Sequence, residues 1–80
     1  MKVQVTMNDI KNGLRGNNTY CPIARAIRRV ANKRRVVLGC KLAIVGNKSY
    51  ILPHAARIFI ELFDFGHNVS PFRFTLKDQL

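Results

Sequence analysis

Arg25, Arg28 and Arg29 fall on one side of a helical period, and Lys33, Arg34 and Arg35 follow within six residues. Guanidinium forks match the paired oxygens of a phosphate, and each neutralised phosphate releases condensed counterions. This stretch, with Arg15 upstream of it, is the first candidate for gripping an anionic partner. Its surroundings strengthen the reading. No acidic residue occurs between Asp9 and Glu61, and the chain carries 14 Lys and Arg against 4 Asp and Glu, a net charge of +10 in 80 residues. A compact domain with that imbalance repels itself unless something anionic offsets it. The bland reading is a solvated face that aids solubility. Three guanidinium groups cannot turn inward without burying unpaired charge, so they are predicted to face solvent or a partner and to be dispensable for folding.

Other chemistry is weakly represented. Cys21 falls at a predicted helix N-terminus amid arginines, which should lower its thiol pKa, yet no His and acid stand at a spacing that would complete a nucleophilic site. Its competing role is a small N-cap. Cys40 reads as turn or core filling. Cys21, Cys40, His54 and His67 add up to a zinc ligand set only by count, because the pairs lack the short spacing of structural zinc sites. No metal or other cofactor is expected. Gly13-Leu14-Arg15-Gly16 is a GxxG loop, the element that clamps backbone phosphates in K-homology RNA-binding domains. Those domains enter the next helix almost at once, whereas here seven residues follow Gly13 before the start of the second helix, so a glycine stop followed by a loop is the simpler reading. No phosphate-binding loop, dinucleotide fingerprint or serine triad is present, and Asp9, Glu61, Asp64 and Asp78 are too scattered for paired-carboxylate catalysis. The chain is not expected to be an enzyme.

The elements that would position these residues follow from periodicity. Lys2 to Thr6 alternates polar and apolar residues and predicts a strand. Thr6 and Asp9 have capping-box spacing, with Asp in place of Glu, and open a short helix over 7–12 that is buried through Ile10 and stopped by Gly13. Leu14 to Tyr20 is loop by composition. Pro22 suits the first position of a second helix running to Ala31, with Cys21 as N-cap. Its apolar arc is Ile23, Ala24, Ala26, Ile27, Val30 and Ala31. Strands are predicted over 35–38, 41–45 and 49–52, the last two joined through Gly46-Asn47-Lys48 as a hairpin. Pro53 opens a third helix that Gly66 stops, with Ala55, Ala56, Phe59, Leu62 and Phe63 inward and Ile58 and Phe65 at the border of the apolar arc. Phe72, Phe74 and Leu76 face inward from a last strand over 71–76, and residues 77–80 are predicted to fray.

The expected architecture is therefore α+β, a small single-domain two-layer sandwich over 1–80. Its order is β-α-α-β-β-β-α-β, with a mostly antiparallel sheet and two main helices on one face. Apolar runs of five residues or fewer, and an N-terminus without an apolar stretch, point to a cytoplasmic protein without membrane association. In that setting the two cysteines should be free thiols. A core of this size is compatible with a monomer or a weak homodimer.

Three segments together resemble a group of short phage and prophage proteins of unknown function. The first is Val5-Thr6 with Ile10 and Gly13, leading to Cys21-Pro22-Ile23-Ala24 and Ala26-Ile27-Arg28. The second is Leu52-Pro53 with Ala56, Phe59-Ile60 and Phe63-Asp64. The third is Gly66 with Val69, then Pro71-Phe72 and Phe74. The resemblance implies a mobile-element origin, a host-cell location and an accessory role: modulating transcription, handling nucleic acid or countering host defence. The dense arginines go beyond the shared pattern. Two functions remain in view. One is nucleic-acid binding through Arg15, Arg25, Arg28, Arg29, Lys33, Arg34 and Arg35. The other is anti-CRISPR-like inhibition of a host protein or defence complex, with the same residues on an acidic protein surface. The charge sign excludes DNA mimicry.

Overall fold

Alternation in the first residues produces β1 (Lys2–Val5), whose Val3 and Val5 are buried and whose Lys2 and Gln4 are exposed. The capping box then forms: the Asp9 N–H donates to Thr6 Oγ1 at 3.2 Å, and the Thr6 N–H donates to Asp9 Oδ2 at 2.9 Å. It starts α1 (Met7–Asn12). Gly13 ends that helix for a reason of space. Its φ is −74°, open to any residue, but a Cβ there would stand 2.6 Å from Pro22 Cδ and 2.7 Å from the Asp9 carbonyl oxygen. The glycine lets α1 close onto the start of α2 (Pro22–Ala31). Asn32, in the left-handed region at φ 53°, ends α2.

The computed structural model describes residues 1–32 and 35–79. Three strands come next, β2 (Val36–Leu38), β3 (Leu42–Val45) and β4 (Lys48–Ile51). The β3–β4 loop is Gly46-Asn47, with Gly46 at φ 65°, the position where a type II′ hairpin places glycine. Pro53 precedes α3 (His54–Asp64). This helix ends in a Schellman motif: the Gly66 N–H donates to the Phe63 carbonyl and the His67 N–H to the Leu62 carbonyl, with Gly66 at φ 83°. The chain finishes through β5 (Phe72–Thr75) and β6 (Lys77–Asp78).

The fold is α+β in the expected element order, and every strand pairing is antiparallel. The strands form two sheets, a ribbon of β1 and β5 and a four-stranded sheet ordered β2-β3-β4-β6. One stretch of chain serves both: buried Leu76 separates β5 from β6 and exchanges hydrogen bonds with Met1. The tail predicted to fray is therefore paired in part, Lys77 with Ile51 and Asp78 with Tyr50. Leu80 lies outside the described residues.

The core joins both sheets to the helices. Ile23 and Ile27 of α2 are fully buried, in one cluster with Val3, Val5, Val36 and Phe74. Phe59 stacks on Phe72 at 4.9 Å between ring centroids, and Phe72 on Phe74 at 5.5 Å. Three residues predicted to face inward do not: Val30 is 45% exposed, Leu62 is 40% exposed, and Ala55 is exposed as well. The buried line of α3 is Ala56, Phe59 and Phe63, so its arc is centred between Phe59 and Phe63 and Leu62 is turned outward. Ile58, Leu62 and Phe65 consequently form an exposed apolar edge, with Phe65 at 81%. On α2, Val30 lies beyond the buried Ile23 and Ile27 and lines an open surface groove with residues of β1 and β5.

Candidate nucleic-acid interface

The outward face of α2 carries Arg25, Arg28 and Arg29 as its period requires, but the three side chains are not equally available. Arg29 grips Asp9 with both prongs, Nη1 donating to Oδ1 at 2.8 Å and Nη2 to Oδ2 at 2.7 Å. Nη2 also donates to the Gln4 carbonyl at 2.9 Å, tying α2 to β1. Asp9 is wholly buried. Burial pushes its carboxyl pKa up, but the Arg29 fork and the Thr6 contacts outweigh that and hold it below the ordinary value. The same hydrogen bonds, donated to Asp9, raise the Arg29 pKa against the effect of desolvation.

Arg28 is drawn inward as well. Its Nη2 donates to the Thr19 carbonyl at 2.7 Å and to the Val36 carbonyl at 3.4 Å, and its guanidinium lies 5.0 Å from the centre of the Tyr20 ring. Thus Arg28 fastens the 14–20 loop and β2 to α2, and it lies over the ring of Tyr20, which stays about half exposed. Arg25 is the least committed. Its Nε stands 3.7 Å from Asp9 Oδ1, without a hydrogen bond. All three arginines and Asp9 line one open recess, in which a single carboxylate faces three cations. An anion's oxygens would meet a net positive charge there.

The expectation that these arginines are dispensable for folding is therefore corrected. Asp9, the one acid within the first 60 residues, is carried into the interior by the capping box, and an uncompensated carboxylate there would be costly. Arg15 belongs elsewhere: its Nε donates to the Phe63 carbonyl at 3.1 Å and its guanidinium lies over the Phe63 ring, while the Gly16 N–H donates to Asp64 Oδ1 at 2.9 Å. The GxxG loop is thus fastened to the end of α3. Arg35 is exposed just before β2, which begins one residue later than predicted. Lys33 and Arg34 lie outside the described residues.

Cys21 is the N-cap of α2, yet its thiol does not become acidic. Burial pushes its pKa up, more than the backbone N–H groups of Ala24 and Ile23 pull it down. Cys40 is an exposed free thiol. His54 begins α3 and His67 follows it, both exposed. Among the described residues no group of three His, Cys, Asp or Glu could hold a metal ion, and no helix is long and apolar enough to cross a membrane. No protein-family model, curated protein or solved structure matches the chain.

What the sequence did not disclose is Asp9 as the hub of the cluster. The Thr6-x-x-Asp9 spacing marked a cap, and the absence of any other nearby acid was the only hint that several arginines would converge on it.

Proposed function

We propose that the protein is a small accessory factor that binds nucleic acid by its phosphates, using the basic surface around α2. The observation that carries this reading is the net charge of +10 that remains after all four acids are set against the 14 Lys and Arg. Of the four acids, Asp9 is enclosed by Arg29 and Arg25, and Asp78 pairs with Lys48. Lys2, Lys11, Arg35, Lys41, Arg73 and Lys77 are exposed, and among the described residues none of them forms a salt bridge. Such a surface attracts polyanions and gains from counterion release.

The test is a titration of labelled duplex DNA, single-stranded DNA and RNA over a range of salt concentrations. Binding should weaken linearly in log–log coordinates, with a slope close to the number of phosphates contacted. Absence of salt-dependent binding to all three would refute the proposal.

A second reading draws on different residues. The exposed edge Ile58, Leu62 and Phe65 supports docking on a protein, as an inhibitor of a host enzyme or defence complex would require. A stoichiometric protein complex that survives nuclease and is broken by Phe65→Ser would favour it.

A further inference from the structure

The outer face of the β1–β5 ribbon carries four exposed side chains, all able to hydrogen-bond. Lys2 stands opposite Thr75, and Gln4 opposite Arg73. All four also line an open groove of about 640 Å³, whose remaining walls are Val3 and Phe74 of the ribbon and Val30 of α2. Building on the nucleic-acid reading above, we propose that this ribbon enters the major groove of duplex DNA and reads base edges through Gln4 and Arg73.

The dimensions agree. Two paired strands lie roughly 4.8 Å apart and four residues span roughly 13 Å, while a major groove about 12 Å wide admits a two-stranded ribbon. Along a strand, residues i and i+2 are roughly 6.8 Å apart, about two base-pair steps. The Lys2–Thr75 and Gln4–Arg73 rows would therefore meet base pairs about two steps apart. The side-chain types agree as well. Arginine and lysine match the two acceptors of guanine, glutamine matches the donor and acceptor of adenine, and threonine can bond either base or touch the thymine methyl.

The ribbon is also held in place. Val3, Val5 and Phe74 anchor its inner face against Ile23 and Ile27. Arg29 binds the Gln4 main-chain carbonyl, which fixes the strand through its backbone, while the Gln4 side chain is exposed. Arg29 thus acts as a positioning residue at the edge of the reading face. The face carries no acid, and its two cations match the sign of the partner.

The experiment is selection from a random duplex pool, followed by anisotropy titration of the enriched duplex and a scrambled one. Wild type, Gln4→Ala and Arg73→Ala are compared, with circular dichroism to verify folding. The wild type should enrich a short motif, and each substitution should reduce the preference for it by roughly 5- to 150-fold, the worth of one bidentate base contact. Gln4→Ala should leave affinity for the scrambled duplex nearly unchanged, since it removes no charge. An undiminished preference in both variants, or no enrichment by the wild type, would overturn the ribbon's role. If the wild type binds duplex without preference, or binds only single strands or RNA, the ribbon reading falls and phosphate binding stands. If it binds no nucleic acid, both fall.

Discussion

The α2 face and the outer face of the β1–β5 ribbon are both cationic, yet their charges do different things. On α2 two of three guanidinium groups are committed within the molecule: Arg29 neutralises buried Asp9, and Arg28 ties down the Thr19 and Val36 carbonyls. On the ribbon Lys2 and Arg73 are exposed and form no salt bridge among the described residues. The denser cluster is thus the more structural one. A helix face rich in arginine in the sequence marks where charge is concentrated, and a single buried carboxylate decides how much of it remains for a partner.

The largest effect that would break this comparison is on stability. Arg29→Gln strands the Asp9 carboxylate and should cost about 2–3 kcal/mol in urea unfolding, below the roughly 3–5 kcal/mol of a fully enclosed pair because Arg29 is half in water. Arg73→Gln should stay within about 0.5 kcal/mol of wild type, as exposed substitutions do. Equal losses would erase the distinction.

Acid sharpens it next. Asp9 ordinarily titrates at 3.8 and lies lower in the folded protein, so its stabilisation is complete above about that pH. It is lost as pH falls through the folded value. Asp9→Asn should therefore be less stable at neutral pH and show a flatter decline below pH about 4. Parallel acid limbs in the Asp9→Asn variant and the wild type would contradict the assignment.

A smaller effect separates the arginines themselves. Arg25→Gln should leave the fold intact and reduce the log–log salt slope of nucleic-acid binding by about one, the value for one phosphate contact. An unchanged slope would remove Arg25 from the interface. Thiol labelling gives a further contrast at neutral pH: Cys40 should react readily, and Cys21, buried with its pKa pushed up, should react only on unfolding. Rapid labelling of Cys21 in the folded state would show that the α2 N-terminus opens.

Much of the fold was legible because its signals are local. Alternation marked β1 and β5, Pro22 and Pro53 marked helix starts, and Gly66 marked the Schellman stop. The division into two sheets was not legible, because it depends on β1 pairing with β5 some 70 residues away, and periodicity carries no pairing information. The same distance concealed the ribbon face: Lys2, Gln4, Arg73 and Thr75 are ordinary solvent-side strand positions until the register brings them together. Helical spacing placed Arg25, Arg28 and Arg29 on one face. It could not show that Asp9, from a neighbouring helix, would reach under them. Val30, Ala55 and Leu62 were misjudged because an apolar arc is wider than the surface available to cover it.

Amide chemical-shift mapping during titration with a duplex from the enriched pool tests the account most directly, because it observes both faces at once. The largest changes should fall on Lys2–Val5 and Phe72–Thr75. Smaller ones should appear near Arg25 at the recess, with Asp9 and Arg29 staying locked together. Changes confined to α2, or to the Ile58, Leu62 and Phe65 edge of α3, with the ribbon unmoved, would contradict it.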